Sequence, residues 1–326
     1  MVDISSKELV RSLFQLRELP RTPFIPWVGT FAAQLEQIQA EEMLSDPGLL
    51  SNSLLNAQKL FGYDAIVPIF DQSLEAEACG CEIEWPEEGG TPRVTSHPIA
   101  DGASVEDVDK PDIEKHGRVP IVLEALKRMN ILRGKQVAFF AVVTGPLTLA
   151  SHLAGEGFVA ELESGSEQAG KTLAAAGSVG LKLTRKYCEA GVDAIVIAEP
   201  MLATASAAGY TSIAGPLKST WNVTKFFGVH TLVLSTGCND DRVEPVLGLQ
   251  AEGVALGAKV GQDKLGEAAL ARKACYGTSV QVRRNEVTNT VLGTRDGRGH
   301  FLTTDWEVPY ETDVNAMHQL MAAIKA

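Results

Sequence analysis

Eight short, nearly unbroken apolar runs punctuate this chain, and each gives way to a glycine or a polar residue. They are PFIPWVG (23–29), AIVPIFD (65–71), VAFFAVVTG (137–145), AIVIAEP (194–200), TLVLSTG (231–237), GVALGA (253–258), ACYGTSV (274–280) and HFLTTDWEV (300–308). Continuous apolar runs suit parallel strands covered on both faces. A sheet with one wet face would instead alternate apolar and polar residues. Helical spacing appears between the runs at Glu41 to Leu60, Val119 to Met129 and Leu173 to Ala190, then at Asp240 to Gln250 and Asp313 to Ala326. Pro120 suits a first helical turn, Gly191 a C-cap and Asn239 an N-cap. Strand and helix in alternation, with no low-complexity linker, predict an α/β chain folded as one (β/α)8 TIM barrel over residues 1–326. The aperiodic stretch from Cys81 to His116, after the second run, is expected to be an excursion over the barrel mouth.

Composition narrows the function classes. The 326 residues are 45% hydrophobic, enough for a large core, and no apolar run approaches the roughly 20 residues that span a bilayer. The N-terminal residues Met1 to Glu8 lack a basic segment followed by an apolar one, so a cytoplasmic protein without a membrane partner is expected. A formal charge of −12 argues against a nucleic-acid partner, because phosphate binding needs a basic surface. Five scattered cysteines with no CxxC pair argue against a disulfide framework or a zinc ribbon. No GxGxxG fingerprint is present and no glycine-rich phosphate loop stands out at the barrel top, so a nucleotide cofactor is not expected.

Barrel active sites collect where the strands end at their C-terminal side. That rule selects Asp71 and Glu199, carboxylates placed directly after apolar strands, as candidates for proton transfer or metal binding. Trp27, Phe31 and Trp306 are candidate apolar walls around a ring-shaped substrate, with His152, Ser235 and Asp305 as polar contacts. Cys238, just past the fifth run, is a candidate thiolate ligand or a passive loop cysteine.

Several stretches resemble the uroporphyrinogen decarboxylase superfamily in order along the chain. They are Phe61-Gly62-Tyr63-Asp64-Ala65 through Phe70-Asp71, then Ala78 to Pro86, Thr144 to Ala150, Ala190 to Ala194 and Val308 to Thr312. The resemblance implies either a decarboxylase of a tetrapyrrole rich in carboxylates or a methyltransferase serving a corrinoid protein. The family's decarboxylases carry arginines after the first strand, where this chain reads Val28-Gly29-Thr30-Phe31-Ala32. Their tyrosine after the third strand is replaced by His152. Ile197-Ala198-Glu199-Pro200 and Leu256-Gly257-Ala258-Lys259-Val260 are similar to the methyltransferase branch. Members of that branch that methylate thiols bind zinc through a His-x-Cys and a later Cys. Those places read Ser235, Gly237 and Trp306 here, with Cys238 one residue late.

These departures imply a methyltransferase that moves a methyl group from a small methylated substrate, such as a methoxylated aromatic, to the cobalt of a separate corrinoid protein. Asp71 or Glu199 would supply a proton to the departing oxygen. Zinc is left open, with Glu199 and Cys238 as its donors if a rearranged site exists. A homodimer is left open as well. The alternatives are a decarboxylase and a barrel that binds without catalysing.

Overall fold

A computed structural model describes residues 4–110, 112–283, 286–288 and 298–325. All eight apolar runs contribute strands: β1 (Phe24–Ile25), β2 (Ala65–Ile66), β3 (Ala138–Thr144), β4 (Ala194–Ala198), β5 (His230–Leu234), β6 (Gly253–Ala255), β7 (Cys275–Arg283) and β8 (His300–Thr304). Every neighbouring pair is parallel, in the order β1-β8-β7-β6-β5-β4-β3-β2, and a further strand, Glu286–Thr288, pairs antiparallel with β7. The expected TIM barrel is therefore the fold.

The two ends of the sheet, β1 and β2, are closed by one residue rather than a ladder. Asp64 donates its backbone N–H to Phe24 O (2.9 Å), and its carboxylate accepts from Phe24 N (2.9 Å), Ser6 Oγ and both Arg21 terminal nitrogens. The same device recurs before β4. There Asp193 N donates to Phe139 O, and Phe139 N donates back to the Asp193 carboxylate at 2.9 Å. In both places the local sequence is Gly-x-Asp-Ala. Gly62 (φ +68°) and Gly191 (φ +86°) take the left-handed turn that ends the preceding helix, where a side chain would be strained. The Gly-x-Asp-Ala part of two family-like motifs thus ties neighbouring strand starts together.

The core has two layers. Ile25, Trp27, Phe70, Phe140, Val196, Leu232 and Phe301 fill the barrel interior, and Val10 and Leu13 of the N-terminal helix Ser6–Phe14 extend that cluster. A second layer between strands and helices contains Phe31, Phe61, Leu147, Leu183 and Leu256. Helix boundaries depart from the sequence reading in instructive ways. The expected helix from Glu41 to Leu60 is two helices, Ala40–Ser45 and Pro47–Phe61, because Pro47 cannot continue the first. Asp46 is extended and caps the second through Gly48 N and Leu49 N. Asp240 to Gln250 is a 3-10 turn, Asp240–Arg242, followed by a short helix, Val243–Leu247, since Pro245 limits a longer one. The long helices Ala207–Phe227 and Gln262–Ala271 had no counterpart in that reading. The last helix is Val314–Lys325, and Ala326 lies outside the described residues.

The excursion does cross the mouth. Its ribbon, Ile83–Glu84 paired antiparallel with Arg93–Val94, is tied to the barrel by His97 Nδ1 on His152 O (2.8 Å) and Ile99 N on Leu153 O (3.0 Å). Pro111, within the excursion, lies outside the described residues. No helix among the described residues is long and apolar enough to cross a membrane.

Candidate active site

Between the strand ends and the ribbon lies a cavity of about 270 Å³. Phe70, Asp71, Gln72 and Ser73 after β2 line it, with His152, Trp306 and the ribbon residues 91–94. Of the residues selected from sequence, Asp71, His152 and Trp306 are brought together here. The Trp306 ring meets Phe70 edge to face, with centroids 4.7 Å apart at 83°. Trp27 is stacked behind Phe70 at 5.5 Å, fully buried, so it backs the wall rather than forming it. The expectation that Phe31 would be a wall is corrected. It starts the short helix Phe31–Leu35, which turns it outward against Phe61 in the layer between strands and helices.

Asp71 sits at the cavity floor. Its Oδ1 accepts from Ser73 N (2.8 Å) and Ser73 Oγ (2.7 Å), and Oδ2 faces Arg118 Nη1 at 2.8 Å as an ion pair without hydrogen-bond angles. Arg118 also pairs with Glu77 at 2.7 Å, donates to Ser73 Oγ, and lies over the Trp85 ring at 5.1 Å. Sequence reasoning missed this arginine. It follows the excursion, 45 residues after Ser73, and nothing local marks it as a partner of Asp71. Arginine is therefore present at the mouth although absent after β1, but two carboxylates already occupy this one. Phe70 was missed too, although it immediately precedes Asp71 in the second run.

Glu199 does not face the cavity. Its Oε2 accepts from Leu147 N (2.8 Å) and Thr148 N (3.2 Å), and its Oε1 from Thr148 Oγ1 (2.5 Å). These are the free donors at the start of the helix Pro146–Ala154, whose first residue is a proline, so a carboxylate from the adjacent strand end serves as their cap. The same helix carries His152 into the cavity. Gly145 is needed where the carboxylate passes, since a Cβ there would overlap the Glu199 side chain. Burial pushes the Glu199 carboxyl up to about 7 against the lowering effect of these bonds.

Two further carboxyls lie nearby, Glu75 buried and Glu307 half-buried. Glu75 accepts from Thr144 N (2.8 Å) and Thr144 Oγ1 (2.6 Å), and burial pushes it up to about 7. Glu307, after β8, accepts from Thr30 N (2.6 Å) and Thr30 Oγ1 (2.8 Å). Burial pushes it up to about 8, opposed by these bonds and one from Thr91 of the ribbon. It latches the loop after β1 to the ribbon. His152 is lowered, first by burial and then by His97, with Asp71 opposing, so its ring is neutral near pH 7.

The remaining candidates tie strand ends together. Asp305 Oδ1 accepts from Ala258 N (2.9 Å), pinning the loop after β6, where Gly257 is left-handed (φ +85°). Ser235 is fully buried, and its Oγ accepts from Cys238 Sγ at 3.4 Å. Burial raises the Cys238 thiol. This donor set does not fit zinc. Ser235 and Gly237 offer no ligand of the usual kind, Trp306 belongs to the aromatic wall, Cys238 is a buried thiol, and the Glu199 oxygens are committed. Among the described residues no group of three His, Cys, Asp or Glu is placed to hold a metal ion. Residues 165–172, GSEQAGKT, do match the G-x-x-x-x-G-K-S/T spacing of a phosphate loop. Gly165 and Ser166 close the preceding helix with their N–H groups, and from Glu167 onward the residues lie inside the helix Glu167–Glu189, so the segment does not form the loop that would wrap a phosphate.

Comparison with known proteins agrees with this architecture. A methyltransferase from Methanosarcina mazei superposes with a TM-score of 0.82 at 20% identity, covering 99% of both chains. The B12-independent methionine synthase of a Shewanella species shares the fold less closely, with a TM-score of 0.54 at 13% identity over 94% of each chain. In sequence, the methylcobamide:CoM methyltransferase MtbA of Methanosarcina acetivorans is 25% identical over 205 residues, 61% of this chain and 60% of that protein. The methylcobamide:CoM methyltransferase MtaA of Methanosarcina barkeri is 29% identical over 164 residues, 49% and 47% of the two chains. The match thus spans about three-fifths or less of these relatives' length. The sequence pattern of the uroporphyrinogen decarboxylase (URO-D) family matches residues 5–243, most of the barrel. The chain belongs to the uroporphyrinogen decarboxylase family.

Proposed function

We propose that this protein is a corrinoid-dependent methyltransferase. It takes a methyl group from a small methylated substrate in the mouth cavity and delivers it to the cobalt of a separate corrinoid protein. The cavity carries the reading: about 270 Å³, with the Phe70 and Trp306 rings on one side and Asp71 and His152 on the other. That volume lies at the small end of ligand sites and suits a compact molecule, not a macrocycle rich in carboxylates. A polyanion would also need several cations, and the mouth offers one exposed arginine, Arg93, because the Arg118 guanidinium is already shared by Asp71 and Glu77. The names of the curated relatives, methylcobamide:CoM methyltransferases, support methyl transfer involving a corrinoid.

In this reading the aromatic pair and the ribbon exclude water and orient the substrate methyl toward the open mouth. Asp71, fixed by Ser73 and Arg118, sets the electrostatic character of the floor. Glu199 is a positioning residue that holds the helix bearing His152. The test is direct. The enzyme is mixed with a cobalt(I) corrinoid protein and a panel of methoxylated aromatics, methylamines and methyl sulfides, and methyl-cobalt absorbance is followed. Growth of that absorbance with one class supports the reading. Decarboxylation of uroporphyrinogen with no methylation of cobalt by any donor overturns it.

A further inference from the structure

The ribbon over the mouth is latched on both sides of Arg93. Before it, Thr91 bonds the Glu307 carboxyl that follows β8. After it, His97 Nδ1 lies 2.8 Å from His152 O, and Ile99 N donates to Leu153 O at 3.0 Å. Arg93 opens the strand Arg93–Val94 between those ties, lines the cavity and is exposed to solvent. It makes no ion pair among the described residues. Glu84 opposes it in the ribbon but does not line the cavity.

The rest of the described lining offers no accessible charge. The Asp71 carboxylate has 0% exposure and faces Arg118 at 2.8 Å, so its charge is both sealed and neutralised. The half-buried His152 ring is neutral near pH 7, because burial lowers it. Its nitrogens have no hydrogen-bond partner among the described residues, which leaves one ring N–H to give to a ligand. The half-buried Trp306 supplies apolar surface beside them. A planar guanidinium offers paired N–H donors that match the oxygens of a carboxylate or sulfonate. This cation stands on the ribbon, not after β1 where the family's decarboxylases carry theirs.

We infer that the methyl donor carries one anionic group, a carboxylate or sulfonate remote from its methyl, and that Arg93 binds that group while Trp306 covers the body of the molecule. This rests on the methyl-transfer reading above. A single accessible cation selects a monoanion. A second anionic group would meet no partner, since Arg118 is committed to Asp71 and Glu77. The anion is a handle and takes no part in the bond that breaks at the methyl. Held at the ribbon, it leaves the methyl end for the open mouth. Because Arg93 is exposed, water and salt screen the pair, so it contributes a modest preference that weakens as ionic strength rises.

The inference is tested first by binding, without the corrinoid partner. Calorimetry compares para-methoxybenzoate with para-methoxybenzamide, and methylsulfanylpropanoate with its amide. Each acid should bind roughly three- to tenfold tighter than its amide at low salt, with a smaller margin at high salt. Arg93→Gln should abolish that margin and Arg93→Glu should reverse it, with urea midpoints confirming that both variants fold. Equal binding of acid and amide, a margin that survives Arg93→Gln, or no binding by either acid overturns the assignment. Transfer to cobalt(I) corrinoid protein then separates the two readings. Methylation by the amides as readily as by the acids overturns the anion assignment and leaves methyl transfer standing. A preference for the acids that depends on Arg93, with no methylation of cobalt by any donor, supports the anion site and overturns methyl transfer.

Discussion

Arg118 reaches Asp71 across 2.8 Å, joining the end of the mouth-covering excursion to the end of β2. Both side chains are buried, the guanidinium at 6% exposure and the carboxylate at 0%. Removing one member leaves the other charged and unpaired in a poorly solvated place, which costs more than the pair contributes. Arg118→Met should therefore destabilise the protein by about 3–5 kcal/mol in urea unfolding. Adding Asp71→Asn and Glu77→Gln to that variant should recover part of the loss. A single variant as stable as the wild type would mean that the pair is not formed in solution.

Glu199 is expected to matter for the helix it caps. Glu199→Ala removes the acceptor for three donors and should cost about 2–4 kcal/mol, while Glu199→Gln, which keeps one oxygen acceptor, should cost less. Urea midpoints order the two variants. If Glu199→Gln abolishes methyl transfer while stability is unchanged, Glu199 acts in the chemistry and not through the helix.

Three carboxyls displaced upward make stability depend on pH. Glu75 and Glu199 are displaced upward to about 7 and Glu307 to about 8, so the folded state keeps protons that the unfolded chain releases near pH 4 to 5. The folded state binds more protons, hence stability is greatest below pH 5 on this account and falls as pH rises to about 8. Chemical denaturation between pH 5 and 8.5 should follow that fall. Glu307→Gln, which cannot ionise, should flatten it, and an unchanged slope in that variant would contradict the upward displacement of the Glu307 carboxyl.

Phe31 separates packing from recognition. Truncation to Leu should lower stability by roughly 1–2 kcal/mol through a cavity in the outer core layer, with ligand affinity retained. Trp306→Leu should do the reverse, weakening affinity more than stability. Calorimetric titration and urea unfolding on both variants check the contrast.

Gly29 tests the latch over β1. It is left-handed (φ +51°), and a Cβ would fall on the Glu307 carboxyl. Gly29→Ala should break the Thr30–Glu307 bonds, loosen the ribbon and raise its protease sensitivity. Resistance equal to the wild type would show that the ribbon is held elsewhere.

The barrel was legible in the sequence because its cause is local and repeated. Eight apolar runs such as VAFFAVV and AIVIA can be covered on both faces only in a parallel sheet wrapped by helices. Strand ends follow directly from that, so Asp71, Glu199 and Trp306 could be named in advance. Which strand-end side chains share a cavity depends on neither periodicity nor spacing. Glu199 turns toward the donors of a helix on the adjacent strand, and Phe31 turns into the outer layer, because backbone groups and voids there compete for them. Arg118 reaches the floor from beyond the excursion only once the chain is folded, since its two partners and the Trp85 ring come together through tertiary packing. The fold was fixed by patterns repeated along the chain, and the site by pairings between residues distant in it.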